Sequence, residues 1–81
     1  MDNKKRTFAA IAAEIKATWK KPYFGAVPYI AALSTINSSD KNAPYVFETA
    51  ESVVRYFLAN ATYWRGADAK RIKAELKSMI E

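Results

Sequence analysis

Apolar residues recur along this chain with the spacing of helices. In residues 7–20, Phe8, Ile11, Ala12, Ile15 and Trp19 stand at i, i+3, i+4, i+7 and i+11. With 3.6 residues per turn they form one narrow stripe. Ala9, Ala10, Ala13 and Ala17 occupy other positions with the best helix former. Asn3 or Thr7 supplies an N-cap. Pro22 closes the segment, because the residue before a proline avoids the α region. Lys20 and Lys21 lie in its last turn, where cations complement the helix dipole.

The pattern predicts three further helices. Over residues 26–37, Val27, Ile30, Leu33 and Ile36 share a face with Tyr29 alongside, and Pro28 sits in the first turn, where a missing N–H costs nothing. Over residues 50–63, capped by Thr49, a broad face of Ala50, Val53, Val54, Phe57, Leu58 and Ala61 leads to Trp64, a width suited to burial against two neighbours. Gly66 then provides a stop. Over residues 69–79, capped by Asp68, the residues Ala69, Ile72 and Leu76 point inward, with Ile80 and Met79 at the end. Residues 37–48 read as an irregular loop: Ser38–Asn42 are turn formers, Pro44 blocks a helix, and an extended Tyr45–Phe47 piece has no strand to pair with. The expected class is all-α: a compact four-helix single domain with an aromatic-rich core over residues 1–81, with residues 1–6 flexible.

Composition sharpens this picture. Eighty-one residues leave room for one core, and eleven aromatics supply the large side chains so small a domain needs. There is no Cys and no His, which excludes disulfides, Cys/His zinc sites, Cys nucleophiles and His-based acid–base chemistry. The carboxylates show no two-acid or calcium-loop spacing, and no Ser or Thr stands near a base at motif spacing. A non-enzymatic protein without a cofactor or metal is expected. The basic run Lys4–Arg6 before apolar Phe8–Ala13 resembles a signal peptide only superficially, since Glu14 and Lys16 interrupt it. No stretch is long enough to span a membrane, so a soluble cytoplasmic protein is expected.

The net charge of +5 is unevenly distributed. Both ends are basic, and residues 22–64 are aromatic and nearly neutral. At 100° per residue, Lys70, Lys73 and Lys77 share one side of the last helix, with Arg65 just upstream and Arg71 about a quarter turn round. This is either a contact surface for phosphate or carboxylate, or a solvated face partly balanced by Glu75. The two last helices around Gly66 resemble a helix-turn-helix in outline. Ala67, Asp68 and Ala69 offer nothing to a base edge, which argues against sequence reading.

Three other features are candidate interaction surfaces. Tyr56 and Tyr63 flank Asn60 on one side of the third predicted helix, and tyrosine is enriched at interfaces. The segment 19–26 interleaves Lys20 and Lys21 with Trp19, Tyr23 and Phe24; it is either a stacking surface for single-stranded bases or a corner whose aromatics plug the core. Ala10, Ala13 and Ala17 oppose the first helix's core stripe, so the chain is expected to be a monomer or a weak homo-oligomer.

The stretches Trp19-Lys20-Lys21-Pro22-Tyr23-Phe24-Gly25-Ala26-Val27-Pro28-Tyr29 and Tyr56-Phe57-Leu58-Ala59-Asn60-Ala61-Thr62-Tyr63-Trp64-Arg65-Gly66 resemble small proteins of bacterial prophages and other mobile elements. The similarity extends over most of the chain from residue 10 onward. That group carries no assigned activity, so the resemblance implies a bacterial cytoplasmic setting and no site residues. The expected function is a helical binding module that meets nucleic acid, a nucleoprotein or an acidic partner through Arg65, Lys70, Arg71, Lys73 and Lys77. The alternative is a protein–protein adaptor or inhibitor that uses Tyr56, Asn60 and Tyr63.

Overall fold

The computed structural model describes residues 5–81. Four α-helices follow in order: α1 (Phe8–Thr18), α2 (Val27–Leu33), α3 (Ala50–Ala59) and α4 (Ala67–Ile80). A 3-10 turn, Phe24–Ala26, leads into α2. α1 and α3 each pack against both α2 and α4, and Phe8, Ile15, Leu33, Phe57, Ile72 and Leu76 are fully buried where the four meet. Among the described residues, no helix is long and apolar enough to cross a membrane.

A small sheet corrects the expectation of an unpaired loop. β1 (Pro44–Tyr45) pairs antiparallel with β2 (Glu48–Thr49), matching Pro44 with Thr49 and Tyr45 with Glu48. The piece thought to lack a partner finds one in its own continuation, through a two-residue reversal at Val46 and Phe47. Such a reversal requires a positive φ at its first position, ordinarily supplied by Gly or Asn. Here Val46 takes it, at φ 55°. The absence of turn residues at that point hid the hairpin.

The long connection between α2 and α3 satisfies the helix starts. The first N–H groups of a helix have no partner inside it. In α1, Phe8 N–H donates to Ser38 O at 2.9 Å and Ala9 N–H to Ile36 O at 3.0 Å, while Thr7 Oγ1 accepts from Ala10 N–H at 3.1 Å. In α3, Ala50 N–H donates to Ala43 O at 2.8 Å and Glu51 N–H to Lys41 O at 2.9 Å, with Thr49 Oγ1 accepting from Ser52 N–H. One irregular stretch thus supplies carbonyls to two helices. α2 accordingly ends at Leu33, short of the expected residue 37, and Ile36 is buried outside it. Thr7 does the capping assigned to Asn3 or Thr7; Asn3 lies outside the described residues.

α1 stops at Thr18 because Trp19 turns to extended backbone. Its indole stacks on Trp64, with ring centroids 5.0 Å apart and planes 8° from parallel. Phe57 meets both indoles edge-on, at 6.3 Å and 6.4 Å. Bringing Trp64 into this cluster ends α3 at Ala59 rather than at residue 63. α4 begins earlier than expected, since Gly66 rather than Asp68 is its N-cap. Gly66 has φ 110° and ψ 174°, a conformation essentially restricted to glycine.

A Cβ at Gly66 would meet nothing within 4 Å, so its requirement is backbone conformation alone. Gly66→Ala is expected to destabilise the fold by about 1–3 kcal/mol. D-alanine at the same position, introduced by chemical synthesis, is expected to retain stability, because the mirror-image residue favours that φ. Thermal unfolding of the three proteins checks this; equal losses for the two alanines would assign the role to something other than φ.

Candidate nucleic-acid interface

The basic residues of α4 and its approach lie along a shallow groove of about 590 Å³. Trp64, Ala67 and Ala74 contribute apolar surface, and Arg65, Lys70, Lys73 and Lys77 line it as cations. Positions 70, 73 and 77 repeat at helical spacing and therefore share a side of α4. Gly66 lets Arg65 precede the helix on the same groove. Arg65, Lys70 and Lys77 are exposed and, among the described residues, make no ion pair. Among the described residues, no carboxylate lines the groove.

Lys73 differs from its neighbours. Its Nζ donates to Ala61 O at 2.8 Å and to Trp64 O at 2.7 Å. Those carbonyls belong to the turn that leaves α3, so the ammonium fastens this turn onto α4. Burial lowers the Lys73 pKa from its ordinary value, and nearby Arg65 lowers it further. The sequence pattern showed three lysines on one side without showing that the middle one turns back into the fold.

Arg71 is engaged elsewhere. Its Nη2 donates to Glu14 Oε2 at 2.5 Å and to Asp68 Oδ1 at 3.2 Å. Glu14 also accepts from Arg6 Nη1 at 2.7 Å, and Arg6 grips Glu75 through Nε at 3.0 Å and Nη2 at 2.6 Å. These five residues tie the start of the described chain to α1 and α4. Of the stretch expected to be loose, residues 1–4 lie outside the described residues, whereas Arg6 is held at both ends of its guanidinium. Arg71 first, then Arg6, holds the Glu14 carboxyl below its ordinary pKa, and the carboxylates raise both arginines. Local sequence gave no sign of the Arg6–Glu75 pair, 69 positions apart. Glu14 and Arg71 each adjoin a core isoleucine, Ile15 and Ile72, and so flank the faces that pack.

The tyrosine stripe does not form as expected. α3 ends before Asn60, so Tyr56 and Tyr63 do not share a helix. Tyr56 stacks on Tyr29 with centroids 5.6 Å apart. Tyr63 stands on the following turn, 81% exposed. Asn60 Nδ2 donates to Tyr56 O at 2.9 Å, and its Oδ1 lies over Gly25, where a Cβ would come within 2.7 Å. In segment 19–26, Trp19 does plug the core, but Tyr23 and Phe24 lie outside it, their rings 4.8 Å apart. Ala10, Ala13 and Ala17 are exposed. The helix-turn-helix outline is lost as well: residues 60–66 separate α3 from α4, longer than the three- or four-residue turn of that motif.

No family model, no curated protein and no solved structure matches this chain. The site's physical chemistry is therefore the basis for a functional reading.

Two substitutions separate fold from surface. Lys73→Met is expected to destabilise the protein by about 1–3 kcal/mol, because the Trp64 carbonyl loses its donor and the Ala61 carbonyl keeps only Trp64 N–H. Lys70→Met is expected to change stability by less than about 0.5 kcal/mol. Chemical denaturation measures both, and equal effects would remove the distinction between these lysines.

A third substitution tests the ion network. The lowered Glu14 pKa stabilises the fold fully above the ordinary glutamate value, about 4.3, and less as pH falls through the folded value. Glu14→Gln is expected to lower the melting temperature at pH 7. The gap from the parent protein should narrow progressively below about pH 4. A gap that stays constant in acid would show that the carboxylate's charge is not the source.

Proposed function

We propose that this protein is a small, non-enzymatic module that binds nucleic acid through the phosphate backbone along the groove at the start of α4. The observation that carries this reading is the row of Arg65, Lys70, Lys73 and Lys77 on a groove that no carboxylate lines among the described residues. Arg65, Lys70 and Lys77 supply the ligand-facing charge. Lys73 has two of its three protons committed to backbone carbonyls and holds the groove's wall. Arg71 is drawn aside by Glu14 and Asp68, so it is not a principal contact. That pairing also masks the charge of Asp68, which would otherwise repel phosphate near the helix start.

The groove favours charge over sequence. Among the described residues it offers no Asn, Gln or Ser to a base edge, and Trp64 is already stacked on Trp19. Contact made through phosphate is sequence-independent and strongly salt-dependent. The resemblance of residues 19–29 and 56–66 to prophage and mobile-element proteins supports a bacterial cytoplasmic setting for an accessory role on nucleic acid or nucleoprotein. A second reading, an adaptor or inhibitor using Tyr56, Asn60 and Tyr63, draws support from the exposure of Tyr63. It is weakened by the separation of the two tyrosines and by the structural work of Asn60.

Fluorescence anisotropy with labelled single-stranded and duplex oligonucleotides tests the proposal. Affinity for duplex should fall with salt at a log–log slope of roughly −2 to −3, as expected for about three neutralised phosphates. Lys70→Gln and Lys77→Gln should each reduce the magnitude of that slope by about 1 while leaving the helical spectrum unchanged. No binding at low salt, or binding indifferent to both substitutions, would reject the proposal.

A further inference from the structure

A second cavity lies where the end of α1 meets α2, and its Trp19 stacks on Trp64 of the α4 groove. It measures about 370 Å³, within the range of ligand clefts. Trp19, Pro22, Val27, Ile30 and Ala31 make most of its lining apolar, while Lys16 and Lys20 are its charged lining residues among those described. Phe24, 79% exposed, and half-exposed Tyr23 belong to the short stretch entering α2, and half-exposed Val27 is the first residue of that helix. The tilted contact between Tyr23 and Phe24 keeps an apolar surface outside the core, on the same segment that supplies Val27 to the cleft. Lys21 adds a third exposed cation, and Lys16, Lys20 and Lys21 make no ion pair among the described residues.

This chemistry differs from that of the α4 groove. There, four cations line surface whose apolar groups are mainly small alanines and an already-stacked indole. Here, five apolar residues form a recess and two cations occupy its lining. A phosphate backbone has no apolar group to place in the recess. A side chain of leucine or phenylalanine type does, and carboxylates beside it would meet Lys16 and Lys20. Apolar anchors in pockets carry most interface energy, whereas complementary rim charge selects the partner and accelerates encounter. A flat lipid surface would meet Phe24 and the lysines but leave the recess unfilled.

We infer that the α1–α2 cleft binds an acidic peptide segment of a partner protein, with a large apolar side chain seated against Trp19, Val27 and Ile30 and flanking carboxylates paired with Lys16 and Lys20. The cleft and the α4 groove share no lining residue. The inference does not depend on nucleic-acid binding at α4.

Selection of a random twelve-residue library, displayed on phage, against the full chain tests the inference. Enriched peptides should carry net negative charge and at least one large apolar residue. As synthetic peptides they should bind with affinity reduced tenfold or more by Lys16→Glu combined with Lys20→Glu, and by Val27→Glu. Both variants alter exposed positions and should keep the parent's helical spectrum and melting temperature within a few degrees; oligonucleotide binding should remain sensitive to Lys70 and Lys77. Val27→Ala provides a milder second test, with a smaller loss in the same direction. Failure to enrich acidic peptides, or peptides insensitive to all three variants, overturns the inference. Cosedimentation with phosphatidylserine vesicles that is lost in these variants, without acidic-peptide binding, would assign the surface to lipid and likewise overturn it.

Discussion

The surface of α4 depends on a structural use of Lys73. In the turn that follows α3, the Lys73 ammonium donates to the Trp64 carbonyl and joins Trp64 N–H in donating to the Ala61 carbonyl. This fastening accompanies Trp64 as it turns inward onto Trp19 and Phe57. It leaves Arg65 and Gly66 at the entrance to α4 and fixes the wall of the cationic groove. A side chain that looked like one more surface charge is thus part of the support for the others.

Polar accounting explains why so small a protein needs a long irregular connection. An apolar core cannot satisfy helix-start N–H groups, and neither α1 nor α3 can do so alone. The stretch between α2 and β1 sends carbonyls to both. Among the described residues, no buried side-chain nitrogen or oxygen lacks a hydrogen-bond partner. Segments that look loose by composition therefore determine how the helices begin and how they sit beside one another.

The periodic faces were legible because burial of a helix stripe leaves a regular trace. Phe8, Ile11 and Ile15 point inward as their spacing implies, as do Ile72 and Leu76. Helix ends were less legible because distant contacts set them. The apolar pattern continues through Ala61 and Trp64, yet Trp64 reaches the core only after the helix has stopped. The same event separates Tyr56 from Tyr63 and dissolves their apparent stripe. At the basic surface, spacing located Lys70, Lys73 and Lys77 together, but gave no information about the Ala61 and Trp64 carbonyls. Nor could Arg71's neighbours reveal that Glu14, far away in sequence, would engage it. Local periodicity assigns a side; packing decides what each charge on that side touches.

The hairpin shows how an apolar apex can be tolerated. Phe47 is 99% exposed at a reversal whose neighbouring Val46 has a positive φ. Yet each strand has only two residues, with Pro44 on one and Glu48 on the other. A strand this brief provides little template for edge-to-edge growth, and both proline and charge oppose such pairing. The protein can thus carry a bare aromatic ring on a β-turn without presenting the long, flat edge from which fibrillar assembly begins.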